Sequence, residues 1–192
     1  RRNLELENSM AGREAHTVAG ILDRCATTMG SRLLRRWLNR PLRDHDILKQ
    51  RYAALAALQA GHDETLHELL MQIGDLERIL TRIALASARP RDLTQLRTAL
   101  QLLPPLRSAL GHCDTDLAAA LAAAMGTHEP ARARLERAII DEPPMLIRDG
   151  GVIATGSDPA LHELRALSET ADRYLADLAG RQRGRARVPT RA

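Results

Sequence analysis

The chain has 192 residues and a formal net charge of +4 at neutral pH, a size that suits one domain with an appended element. It buries enough surface at that length to need no metal or disulfide staple. Aromatics make up 2% of it and Phe is absent, whereas Leu, Ala, Arg and Glu are plentiful, so composition argues against a β-rich body and favours an all-α fold.

Residues 1–16 lack a clear period; Leu4 and Leu6 alternate with Glu5 and Glu7, which predicts a short extended segment. A short helix is expected over Val18 to Asp23. Thr27-Thr28-Met29-Gly30 supplies hydroxyls to cap the next helix. That helix sets Met29, Leu33, Leu34, Trp37 and Leu38 on one face as a buried stripe, with Arg32, Arg35, Arg36 and Arg40 elsewhere, and Pro41 ends it. Asp44 or Asp46 opens the following helix, with Ile47, Leu48, Tyr52, Leu55 and Leu58 facing inward. Another helix is predicted from Glu64 to Ile73. Asp75 is placed to cap one built on Leu76, Ile79, Leu80 and Ile83.

The turn Ala88-Arg89-Pro90-Arg91-Asp92 leads into Leu93, Leu96, Leu100 and Leu103, and Pro104-Pro105 is expected to break or kink that helix. Shorter helices follow over 114–125 and 130–140. Met145-Leu146-Ile147-Arg148 and Gly151-Val152-Ile153 around Asp149-Gly150 form a β-hairpin signal. Ser157-Asp158-Pro159 then starts a long helix. Its narrow stripe of Leu161, Leu164, Leu167, Ala171, Tyr174 and Leu178 suits a coiled-coil-like seam. The predicted architecture is an irregular helical bundle with one short β-hairpin and a long projecting C-terminal helix. Residues 1–156 form the bundle, 157–183 the helix and 184–192 a basic, disordered tail.

Little in the chain carries chemistry. No Gly-Lys pair exists, and Lys49 is the only lysine, so a phosphate-binding loop is excluded. His162-Glu163 begins like a zinc-protease helix but has Ala166 where the second His must stand. His62, Asp63, Glu64 and His67 read as a polar helix start, and His112-Cys113 as a surface turn. Cys25 and Cys113 lie too far apart for a metal-ligand spacing and are expected to be buried, reduced thiols. These readings give no catalytic residue, no cofactor-binding residue, no metal ligand, and a chain that is not an enzyme. Trp37 and Tyr52 fall on apolar faces and are read as core rather than as base-stacking platforms. Arg32, Arg35 and Arg36 head the best basic cluster, with Arg40 and Arg43 beside them. They are the candidates for DNA-phosphate contact, against the alternative of a solvated face paired with acids. No apolar run approaches the ~18 residues of a membrane span, and no signal-peptide pattern is present, so a cytoplasmic setting without membrane contact is expected.

Several strings, taken in order, resemble the MutS family of mismatch-recognition proteins. Arg1-Arg2-Asn3-Leu4-Glu5-Leu6 looks like the entry into that family's core domain. Thr28-Met29-Gly30-Ser31-Arg32-Leu33-Leu34-Arg35-Arg36-Trp37-Leu38 with Pro41-Leu42 resembles an early core helix. Gly74-Asp75-Leu76-Glu77-Arg78-Ile79 and Ala88-Arg89-Pro90-Arg91-Asp92-Leu93 are similar to two further family strings. Ile147-Arg148-Asp149-Gly150-Gly151-Val152-Ile153-Ala154, followed by Leu161-His162-Glu163-Leu164-Arg165, resembles the approach to the lever helix. The likeness spans about residues 1–180.

The resemblance implies a non-catalytic hub and lever that join mismatched-DNA binding to an ATPase module in DNA mismatch repair. It implies the remaining MutS domains as partners, a homodimer as the intact protein, and ATP with Mg bound in the intact protein but outside this chain. The family's mismatch-wedging Phe-x-Glu reader has no counterpart here, since the chain lacks Phe. Beyond Gly180 the resemblance stops, and without a returning lever the seam at Leu161–Leu178 is expected to be exposed or self-associated. Two rival readings are a self-contained basic helical module that binds duplex DNA directly and a generic helical protein-interaction domain.

Overall fold

A computed structural model describes the backbone of residues 5–7, 14–61 and 63–185. The chain falls into two compact units, one running to Val152 and the other starting at Ile153. Among the described residues the regular structure is helical and no strand forms.

In the first unit, a single 3-10 turn at Glu14–His16 leads to α1, Val18–Leu22. The Thr17 hydroxyl caps α1 by accepting from Gly20 N–H at 3.0 Å. The expected extended segment near the start is only partly described. At residues 5–7 the backbone is turned, with Glu5 at φ +44°, because the Glu5 and Leu6 carbonyls accept from Val18 and Ala19 N–H rather than from a strand partner. Thr27 caps α2, Thr28–Asn39, through Gly30 N–H. Asp44, rather than Asp46, caps α3, His45–Gln59. The bundle continues with α4, Asp63–Met71; α5, Leu76–Ala84; α6, Pro90–Gly111; α7, Asp116–Ala124; and α8, Glu129–Ala138.

The longest helix of this unit is α6, and it organises the core by packing on α4, α5, α7 and α8. Leu66, Ile79, Ala99, Leu100, Leu106, Ala118 and Ile139 are buried there. Pro104 and Pro105 do not break α6. A proline in mid-helix removes one backbone donor and crowds the preceding turn, at a cost of ~3 kcal/mol. Leu100 and Leu106, buried on either side of the pair, supply packing that outweighs that cost.

Three other expectations need correction. The inward stripes assigned to α2 and α3 are not buried, and neither helix contains a buried residue. Trp37 is 43% and Tyr52 66% exposed, so neither is a core residue. Beside α3, α7 presents Leu117, Ala118 and Leu121, which leave space open between the two helices. A groove of about 500 Å³ results, lined by Trp37, Leu48, Tyr52, Leu55, Leu117 and Leu121 among others. Of the two thiols, Cys113 is buried but Cys25 is exposed.

The β-hairpin does not form either. Ile147–Asp149 wind into a 3-10 turn in which Gly150 N–H donates to the Ile147 carbonyl. Gly150 then takes φ +73° and ψ −175°, far from the ψ that a tight hairpin turn requires. The segment beyond it runs along the end of α8 instead, where the Val152 carbonyl accepts from Ile140 N–H.

The second unit is dominated by α9, Pro159–Arg185. Asp158 caps it by accepting from Ala160 and Leu161 N–H, with Pro159 as the first helical residue, where its missing donor costs nothing. At ~1.5 Å per residue α9 is roughly 40 Å long. The expectation of a disordered basic tail falls on α9's last residues and on positions beyond 185, which lie outside the described residues.

Candidate functional site

The bundle presents a series of joints in which an arginine of one helix grips the end of another. The first joins α2 to α5. Arg32 Nη1 and Nη2 donate to Asp75 Oδ2 and Oδ1 at 2.8 and 2.7 Å, and Nε and Nη2 donate to Glu77 Oε2 at 3.0 and 2.6 Å. The planar guanidinium suits this two-sided, bidentate grip, which an ammonium cannot reproduce. Asp75 also caps α5 by accepting from Arg78 N–H at 3.3 Å. The Arg32 hydrogen bonds, opposed in part by desolvation, hold the Asp75 carboxyl well below the usual carboxylate range. The same contacts push the Arg32 guanidinium further up.

The second joint runs from α5 to α6. Arg82, in the last turn of α5, donates through Nη2 to Asp92 Oδ1 at 2.6 Å. Asp92 Oδ2 accepts from Arg89 N–H at 2.9 Å and so closes the first turn of α6. A buried carboxylate requires both partners, and Asp92 is one of the few buried polar residues of the bundle.

The third joint connects α6 to the end of α8. Arg97 donates through Nη1 to the Ile139 carbonyl at 2.8 Å and through Nη2 to Asp141 Oδ1 at 2.9 Å. Ile139 is the C-cap of α8, where a cation satisfies an orphan carbonyl and complements the helix dipole. Gln101 adds a hydrogen bond to Glu136 of α8 at 2.8 Å.

Each joint therefore fixes both the position of a helix and the capping of its neighbour. Exposed ion pairs contribute little to stability on their own. Their effect here is geometric, since a planar fork seated on a helix terminus allows few orientations.

The three arginines proposed for phosphate contact do not form one free face. Arg32 is committed to Asp75 and Glu77. Arg35 is exposed but lies near the Asp23 carboxylate, whose pKa is lowered mainly by the Ser31 hydroxyl and in part by Arg35. Arg36, Arg40 and Arg43 are exposed. Among the described residues, no group of three His, Cys, Asp or Glu side chains is arranged to hold a metal ion. None of the helices described is long and apolar enough to cross a membrane.

Sequence reasoning found Asp75 as a cap but missed Arg82, Arg97 and Asp141. The signal for Arg82 was the acid three residues into α6, which needs a cation once buried. Nothing in the sequence pairs Arg97 with a carbonyl forty-two residues away.

The joints draw together the strings that resemble a known family, since Arg32 belongs to one, Asp75 and Glu77 to a second and Asp92 to a third. A family model, MutS domain III, matches residues 1–186. The chain belongs to the MutS family, and the part of that family it represents is domain III.

Proposed function

We propose that this chain is the non-catalytic core and lever segment of a MutS-type mismatch-recognition protein, passing changes of position between mismatched-DNA binding and an ATPase module. The observation that carries this reading is the series of arginine joints from α2 through α5 and α6 to the end of α8. Helices seated on one another's termini move together, as a transmitting body requires. In the same reading, residues 157–183 act as the lever. A continuous helix carries displacement along its length, and α9 runs without a break from Pro159 to Arg185. ATP and Mg belong to the ATPase module, mismatched duplex DNA and the remaining MutS domains are the partners, the intact protein is a homodimer, and the setting is cytoplasmic.

The test uses the intact protein carrying Leu167→Pro. Proline removes a backbone bond in the middle of α9, so ATP-dependent closure on mismatched DNA, followed by a fluorescent pair on the two lever segments of the homodimer, is expected to be lost while mismatch binding persists. Unimpaired closure would end the lever reading. The rival reading, direct duplex binding by a basic module, predicts a steep salt dependence that Arg35→Ala and Arg36→Ala reduce. Arg32 fits it poorly, since two carboxylates already occupy its donors.

A further inference from the structure

We propose that α1 and α2 form a latched flap that opens as a unit when Arg32 leaves Asp75 and Glu77, and that opening uncaps α5 and withdraws Trp37 from the α3–α7 groove. This inference rests on the geometry of the bundle alone and does not depend on the repair role.

The flap is tied within itself. The Glu5 and Leu6 carbonyls hold the start of α1, and Thr17 and Ala19 are buried. The Ser31 hydroxyl donates to Asp23 at 2.9 Å, joining the loop before α2 to its first turn. Asn39 Nδ2 donates to Glu7 at 2.8 Å, joining the far end of α2 to the turned segment near the start. Packing at the α1–α2 corner is close, for a Cβ placed on Gly30 would stand 3.2 Å from Cys25 Cβ.

Toward the rest of the bundle the ties are of another kind. No residue of α2 is buried, and the helix it packs on appreciably is α1. Hydrogen bonds and ion pairs cross the boundary, and the Trp37 ring lines the apolar α3–α7 groove. Arg32 of α2 holds both Asp75 and Glu77. In the opposite direction Arg51 of α3 lies 3.8 Å from the centre of the Trp37 ring, a cation–π contact. An element held to the body by ionic contacts and one partly exposed ring, with no buried residue in α2, is the kind that opens below the global unfolding free energy. Asp75 makes the opening consequential. The carboxylate that receives Arg32 also caps α5, so losing the guanidinium frees it to reorient away from Arg78 N–H.

Trp37 is the only tryptophan, so its fluorescence reports this movement without a label. In the full chain, Arg32→Ala is expected to raise acrylamide quenching of Trp37. It should also speed amide exchange on the order of tenfold in residues 18–39 and in the first turn of α5, while α6 exchanges as before. Arg32→Lys, which keeps the charge but loses the fork, should fall between. Unchanged exchange in those two segments, or equal acceleration of α6, would overturn the flap. Should Arg32→Ala fail to fold, Glu77→Gln decides the question. It leaves the Asp75 cap in place and should loosen residues 18–39 to a smaller degree while the first turn of α5 exchanges as before, and no change in residues 18–39 would refute the proposal.

Discussion

The residues up to Val152 and those from Ile153 onward are both helical, but for different reasons. The bundle's core helices α5 and α6 depend on burial, with Ile79, Ala99 and Leu106 almost wholly enclosed. In α9 none of the described side chains is buried, and Leu164 and Leu167 are 64% and 67% exposed. Its helicity comes from local terms: the Asp158 cap, the Arg165 side chain donating to the Ile153 carbonyl at 3.1 Å, and a Glu169–Arg173 pair at 3.8 Å, one turn apart. Helices of this length can stand on propensity where shorter ones cannot. The comparison sets a largest effect. Ile79→Ala should cost about 3 kcal/mol of bundle stability, since the side chain is fully enclosed and leaves a cavity. Calorimetry should show the bundle transition falling while helix content from α9 survives above it. A single transition that removes all helicity would show that α9 depends on the bundle after all.

The converse perturbation is Leu167→Pro, at a local cost of ~3 kcal/mol in the helix interior. Because α9 stands on local terms, the loss should appear as faster amide exchange on both sides of residue 167. The bundle melting temperature should stay in place, and a matching drop in it would erase the distinction between the two regions.

Within the bundle, the joints should matter less than the core. Asp92→Ala removes the acceptor for Arg89 N–H and strands Arg82, and it should cost about 1–2 kcal/mol, in the range of lost helix caps. Asp92→Asn keeps an acceptor for the cap but not the charge. Equal melting temperatures for the two variants would mean that the Arg82 pair, rather than the cap, is what Asp92 provides. Acid gives a gentler test of the first joint. Asp75 has its folded-state pKa depressed, so its contribution to stability is present above the ordinary carboxylate range of roughly pH 4 and is lost as pH falls below it. Glu77→Gln should leave that acid dependence in place, whereas Asp75→Asn should flatten it.

What the sequence revealed and concealed follows the same division. Caps were legible, because Thr27, Asp44, Asp75 and Asp158 act on amides two or three residues away. Helix periodicity was legible too, but the face it buries was not. The stripes of α2 and α3 have the spacing of core residues, yet neither helix contains a buried residue and that of α3 borders an open groove. The hairpin signal of Asp149-Gly150 failed because a turn residue forms a hairpin only if its flanking strands pair, and here Val152 pairs with Ile140 instead. Of the site, Asp75 was visible as a cap, whereas Asp92 read only as part of a turn and the α8 end was not singled out. The arginine that completes each joint comes from ten to forty-four residues away, and no local pattern encodes such a distance.

The smallest expected effect on folding decides what the exposed stripe of α9 is for. Leu164→Ser changes a mostly exposed side chain, so thermal unfolding should move by no more than about 0.5 kcal/mol, as for surface substitutions generally. Contiguous exposed leucines are costly in water, however, and associate when a matching face is offered. Leu164, Leu167, Ala171, Tyr174 and Leu178 recur at the three- and four-residue steps that suit such pairing. Sedimentation of the unaltered chain should therefore show concentration-dependent self-association that Leu164→Ser weakens. If the chain sediments as a monomer at every concentration, the stripe is not a self-recognition seam, and its leucines serve only to build a helix that propensity alone sustains.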